Sequence, residues 1–413
     1  MSRSLPVLMC GFRPFFVLTA ASATLLMLTW LLVINGWLPG WNPPGGLVLW
    51  HAHELIFGFA AAATAGFTLT AIPEFSKTPE ILGKTLLPVV GLWLLARLAY
   101  LLAALWPAAL GLWPAALCNL AFWLTLLRLL VPRLWQADGR AHLSFAWVIL
   151  SLCLLQVGFF AAQLMVADAL AWARAATGAL SVLIVIATSR ISMSVVNGRI
   201  EEGRPDAPLP NDSYLARPPR RNLAIVCVVL CSASEFVIGG QPVSGWVALA
   251  AAAAMFNLLN DWHVGRPLFQ RWALMLYTCY WLIGLGYLAL GAAWLGAPIS
   301  SSSGRHLLTS GAVSLAIFAV MAMVGRIHAG LWLDRRPWPM LCASTLVLAA
   351  LLRTLAGLPL TASSSLALMN IAGLLWASCF AIYLIATWNT LTGPRADGRH
   401  DGSGPQLKSD HSC

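Results

Sequence analysis

The chain is 413 residues long, 59% hydrophobic and only 10% charged, with a mean hydropathy of +0.78. A soluble chain carries about 25% charged residues, so a soluble enzyme or a free nucleic-acid binder is excluded. The net charge of +10 then has to be explained by where the basic residues sit relative to a bilayer.

The apolar stretches are long and continuous rather than alternating. An apolar run of about 20 residues spans the hydrocarbon core as a helix, and backbone groups in lipid are satisfied only in helices or closed barrels. The pattern predicts an all-α, polytopic integral membrane protein. In chain order, spans are expected near 15–34, 47–72, 86–106, 109–131, 143–167, 172–196, 223–241, 243–262, 272–296, 306–329, 338–357 and 366–391. Only Gly-Gly-Gln-Pro at 239–242 divides the seventh from the eighth. The opening "MSRSLPVLMCGFRPFF" leads straight into a full-length span, so no cleavable leader is expected.

Alternate connections carry Lys77 and Lys84; Arg128, Arg133 and Arg140; Arg199, Arg204, Arg217, Arg220 and Arg221; Arg266 and Arg271; and Arg335 and Arg336. The opposite connections offer little beyond Arg174 and Arg305. The positive-inside rule puts both termini in the cytoplasm, and this asymmetry accounts for the net charge without a nucleic-acid partner. The expected organisation is one membrane domain over 1–392, two groups of six spans joined by a Pro-rich loop at 197–222. A polar, Gly-rich tail over 393–413 is expected to be disordered.

The topology assigns each ionisable residue a depth. His51, His53 and Glu54, in "VLWHAHELIFGF", lie near the outer end of the second span, and His306 opens the tenth at the same level. Glu235 and Arg353 share this outer layer, whereas Arg190, His263, Arg326 and His328 lie towards the cytoplasm. Ionisable groups at membrane depth are costly and usually functional. Residues two apart are about 200° apart around a helix, so His51 and His53 cannot face one partner; either they serve different neighbours, or one ligates and the other supports. A glutamate beside a ligating histidine can accept its second N–H and fix its tautomer. A cofactor or metal site competes here with histidines merely hydrogen-bonded near the interface. Arg97, in mid-span, needs an anionic partner, with Glu235 and a cofactor carboxylate as candidates. Arg13, in "GFRPFF", is expected to snorkel to lipid phosphates, and His142 to be wet.

The nine cysteines form no Cys-x-x-Cys and no Cys-x-x-Cys-His, so covalent haem attachment is unsupported. Cys227, Cys231 and Glu235 share a helical face, which could be a soft-metal site or ordinary small-residue packing.

Four stretches carry a family resemblance: "GFRPFF" (11–16), "WHAHELIFGFAAAATAGFTLTAIP" (50–73), "HLLTSGAVSLAIFAVMAMVGRI" (306–327) and "GPRADG" (393–398). Together they resemble the NnrS family of bacterial inner-membrane proteins with twelve spans. The family is described as haem- and copper-containing and is associated with denitrification and resistance to nitric oxide or nitrosative stress. The resemblance implies His51, His53 and His306 as cofactor or metal residues and Arg13, Arg190 and Arg326 as cofactor-binding. It implies haem b as cofactor and copper as a second metal, and leaves the reaction unsettled and the electron donor unnamed. Glu54 and Glu235 are then candidate proton-relay carboxylates. The chain departs from the family where it reads "PEFSK" (73–77), Tyr277 and "AGLWLDR" (329–335). The outer histidines are thus retained and the inner set is rearranged, with His328 left there as a candidate metal ligand. A secondary transporter and a haem or copper assembly factor are the competing functions.

Overall fold

The structure, a computed structural model, describes residues 5–198, 214–395, 397–399 and 404–405. The middle of the 197–222 connection and most of the chain beyond 399, where disorder is expected, lie outside the described residues. Among the described residues there are twelve helices long and apolar enough to cross a membrane. They are α1 Phe12–Ile34, α2 Leu47–Phe75, α3 Gly83–Leu105, α4 Trp113–Leu134, α5 Arg140–Leu164 and α6 Ala169–Val196. The remainder are α7 Pro218–Ile238, α8 Pro242–Trp262, α9 Arg271–Trp294, α10 Ser301–Ile327, α11 Trp338–Leu355 and α12 Pro359–Thr392.

Proline begins several helices, at Pro218 in α7 and Pro242 in α8, where its missing N–H is no loss. Gly239, at φ +70°, turns the chain between those two. Gly45 and Gly46, at φ +80° and +91°, do the same immediately before α2, a conformation in which a side chain would be strained.

Burial recurs every fourth helix. The apolar window of α2 is 94% buried and those of α6 and α10 are each 72% buried, against 22% for α7. Sequence neighbours pack on one another, and α1 closes the ring against α12. The outward leucines and valines of α3 and α7, such as Leu94, Leu98, Val226 and Val229, are exposed in the isolated chain and face the lipid.

Lipid gives apolar faces no incentive to leave it, so close helix contact depends on small residues and polar ties. Gly304 on α10 meets α9 so closely that a Cβ would lie 2.8 Å from the Leu290 backbone nitrogen and 2.9 Å from the Gly286 carbonyl oxygen. A Cβ on Gly291 of α9 would likewise lie 2.9 Å from the Gly245 carbonyl oxygen of α8. At the inner face Asp261 closes α8 onto the start of α7, accepting from the Arg217 backbone N–H at 2.9 Å and from Arg220 at 2.5 Å.

Candidate functional site

A cavity of about 410 Å³ lies between α1, α2, α6, α10, α11 and α12 towards the outer face, within the range of small-molecule and cofactor sites. His51 and His306 both line it, on the two most interior helices that carry histidine. Three guanidinium groups, Arg174, Arg305 and Arg353, join them in its wall. Most of the remaining wall is apolar, with Met27, Leu55, Phe59 and Trp376 among the lining residues.

The two cavity histidines are held differently. His51 stacks on Trp30 of α1, with ring centroids 4.1 Å apart. His306 donates from Nδ1 to the Ser302 carbonyl oxygen one turn earlier, at 2.7 Å, which leaves Nε2 as the nitrogen with a lone pair to offer. A ring N–H donated to a backbone carbonyl is the arrangement that orients metal-ligating imidazoles. Ser302 also ties the site together, because its hydroxyl accepts from Arg353 at 3.1 Å.

His53 turns the other way. It is fully buried and stacks on Tyr100 of α3 at 4.5 Å between ring centroids. Nδ1 donates to Glu54 Oε1 at 2.9 Å, and Nε2 accepts from the Gln156 amide at 3.0 Å. The Gln156 oxygen in turn accepts from the Trp123 indole at 2.5 Å. These partners assign a neutral imidazole with both nitrogens engaged. Glu54 receives Arg97 Nη1 at 2.9 Å, and Arg97 Nη2 reaches Asn119 at 2.6 Å. The partner of Arg97 is therefore Glu54, on the helix packed beside it, and not Glu235. Glu235 is instead paired with Arg305 across α7 and α10, beside a second, smaller hollow of about 210 Å³ that Arg174 also lines.

The inner-face residues do not join this cavity. Arg13 is 1% exposed and donates to the Pro6 and Gly393 carbonyls at 3.2 and 2.6 Å; it staples the first helix to the chain after the last, so the expected lipid snorkel is corrected. Arg190 reaches the Ala141 carbonyl at 3.3 Å. Arg326 reaches the Trp332 carbonyl at 2.9 Å and Asp334 at 3.6 Å. His328 lies 3.5 Å from Glu74; it is the residue that follows α10, 22 positions after His306, and so roughly 30 Å away along the axis. His142 is 9% exposed and stacked on Phe75, not wet. Arg395 is buried and donates to the His328 carbonyl at 2.9 Å, so packing continues past residue 392. Among the described residues no group of three or more His, Cys, Asp or Glu side chains could hold a metal ion, which includes the Cys227, Cys231 and Glu235 face.

The sequence shows no signal for Ser302, Trp30 or Gln156 as site residues, since serine, tryptophan and glutamine are unremarkable near a membrane interface. Two backbone features are equally silent in it. Glu54–Ala60 in α2 and Leu307–Val313 in α10 are π-helical, and each follows directly on a histidine-bearing α-turn, Leu47–His53 and Ser301–His306.

Fold and site together define a polytopic α-helical membrane protein whose interior helices present two histidines to one arginine-rimmed apolar cavity. The family profile described as NnrS protein matches residues 6–395, and the chain belongs to the NnrS family. A cryo-EM structure of a haem-copper terminal oxidase dimer shares the fold, with a TM-score of 0.65 over 97% of this chain and 87% of that one, at 12% identity. No curated protein sequence matches the chain.

Proposed function

We propose that the cavity holds a haem b between His51 and His306, and that the protein uses it on nitric oxide in the inner membrane of a bacterium. The observation that carries this reading is the convergence of two imidazoles from different interior helices on one apolar cavity with arginines in its wall. Haem iron accepts neutral imidazole ligands, and its propionates suit guanidinium partners. Arg174 and Arg353 are the arginines for that task, because Arg305 is already paired with Glu235. The absence of a Cys-x-x-Cys-His sequence favours a non-covalent haem. The family resemblance and the fold shared with a haem-copper oxidase support the same cofactor.

The bound iron would supply a site for a small uncharged diatomic such as nitric oxide. The chain's own contribution is to orient the two imidazoles, exclude water with the apolar wall and offset the propionate charge. Proton movement at the cavity falls to Glu235, which lines the smaller polar hollow and pairs with Arg305 in the cavity wall; Glu54 faces the opposite side of α2. The residues fit copper less well, since no three-ligand set exists among the described residues and His328 lies at the inner face.

The test is the optical spectrum of the purified protein, oxidised and reduced, before and after nitric oxide. A b-type spectrum that shifts with nitric oxide, that His51→Ala and His306→Ala abolish, and that His53→Ala keeps in form while weakening haem retention, is expected. A folded wild-type protein that stays colourless after haem is supplied would overturn the reading.

A further inference from the structure

The two π-helical segments are the only ones among the described residues, and both stand where α2 and α10 pass from their histidine-bearing ends into the bundle. A π-turn bonds i to i+5 and so takes in one residue more than an α-turn. Were either segment wound as continuous α-helix, everything before it would turn by about 100° relative to the rest of the span. That turn would carry His51 and His306 away from the cavity they line.

π-winding is rare and appears mostly as single turns inside α-helices, and in both helices here an indole from a neighbouring helix ties it down. In α2 the Gly58 carbonyl accepts from Trp93 Nε1 of α3 at 3.1 Å. Gly58 also leaves room for Arg97, whose Nη1 would be 2.7 Å from a Cβ at that position. The first residue of the segment, Glu54, is clamped between Arg97 and His53. In α10 the Ser314 hydroxyl donates to the Thr309 carbonyl five residues back, at 2.9 Å, and accepts from Trp376 Nε1 of α12 at 2.9 Å.

We propose that these π-turns, locked by Trp93 in α2 and by Ser314 with Trp376 in α10, are the devices that aim His51 and His306 into the cavity. The His-Ala-His-Glu motif then divides its labour: His51 faces the cofactor space, while His53 and Glu54 are positioning residues that hold the α2 turn from its far side. The proposal rests on the reading of the cavity as a cofactor site for its purpose, though not for its geometry.

Trp93→Phe removes the indole donor and keeps an aromatic ring at the position. It lets α2 relax towards α-winding and swing His51 out, with no cavity contact altered. Haem retention should weaken roughly tenfold or more, the scale on which supporting groups act on metal ligands. Deleting Ile56 in the same background removes the extra residue, so that α-winding returns His51 to its original direction, and retention should recover. A role confined to packing predicts the reverse, a deletion that adds damage.

Orientation is read independently of haem by thiol labelling from the outer side in a His51→Cys background, located by peptide mass. Labelling should fall with Trp93→Phe and return with the deletion. Unchanged labelling in Trp93→Phe, or no recovery in a folded deletion variant, overturns the proposal. Where the α2 deletion does not fold, Ser314→Ala with and without deletion of Ser310, read in a His306→Cys background, decides by the same criteria. Labelling that follows the expected pattern in a protein that never takes up haem would sink the haem reading and leave this proposal standing.

Discussion

Arg97 of α3 and Glu54 of α2 lie 2.9 Å apart in the interior, their side chains 13% and 5% exposed. The pair joins a hydrogen-bonded chain that runs from Asn119 through His53 and Gln156 to Trp123, linking α2 to α3, α4 and α5. Such a network is stabilising only while complete. Glu54→Ala strands the Arg97 charge and one His53 nitrogen, and removing one partner of a buried ion pair costs about 3–5 kcal/mol. Arg97→Leu should cost the same order, and the double variant Glu54→Ala/Arg97→Leu clearly less than the sum. Unfolding in mild detergent, followed for the three variants, measures this; a double variant as damaged as the two singles added together would sink the network reading.

Gly304 tests how tightly α10 is seated beside His306. A Cβ there meets backbone atoms of α9 at 2.8 and 2.9 Å, and backbone cannot turn aside as a side chain can. Gly304→Ala should force the two helices apart, with an overpacking cost of about 1–3 kcal/mol, and should weaken cofactor retention because His306 is two residues on. Gly91→Ala is the matched control. Its Cβ meets nothing within 4 Å, and an exposed helix gains about 0.5–1 kcal/mol from the exchange. Equal thermal midpoints for the two variants would contradict the close contact.

The depth of the site is legible in the sequence, and its azimuth is not. Charge asymmetry across the connections places His51, His306, Glu235 and Arg353 in one outer layer, and His51, His306 and Arg353 do line one cavity, with Glu235 tied to its wall through Arg305. Ideal helical geometry shows that His51 and His53 diverge. Which of the two faces the cavity depends on a π-turn that leaves no mark on hydropathy periodicity. Arg97 and Glu235 look like partners by charge alone, but α3 packs beside α2, and adjacency gives Arg97 to Glu54. Arg13 looks like a lipid anchor by position. Its true acceptors at Gly393 and Leu391 are nearly 380 residues away, a separation that no local pattern reports.

The Arg305–Glu235 pair ties the lipid-exposed helix α7 to the interior helix α10. The side chains are 19% and 11% exposed, so solvent screens the pair less than it would a surface ion pair. Glu235→Gln keeps a hydrogen-bond acceptor but removes the charge, and should destabilise by about 1–2 kcal/mol. It should also slow any proton-linked reaction at the cavity, whereas Asp168→Asn, at the rim of the same hollow, should leave that rate unchanged. Comparing the two in a solvent isotope experiment separates a proton-carrying role from a structural one. Identical isotope effects in wild type and Glu235→Gln would restrict Glu235 to the structural role.

At the inner face Asp334 sits in the connection between α10 and α11. Burial alone would raise its carboxyl, but hydrogen bonds from Arg336 and Trp338 and the nearby Arg326 charge outweigh that and hold it below its ordinary value of 3.8. A carboxyl depressed on folding contributes stability that is complete above the unfolded value and disappears as pH falls through the folded one. Asp334 should therefore support this cap unchanged at neutral pH and release it only in strong acid. Asp334→Asn should lower stability at pH 7 by about 1–3 kcal/mol, the scale of hydrogen bonds to a charged group. The gap between variant and wild type should close as the pH is taken below 3.8. Thermal midpoints of both proteins across that range measure it, and a gap that stays constant into acid would show that the Asp334 charge does not hold the cap.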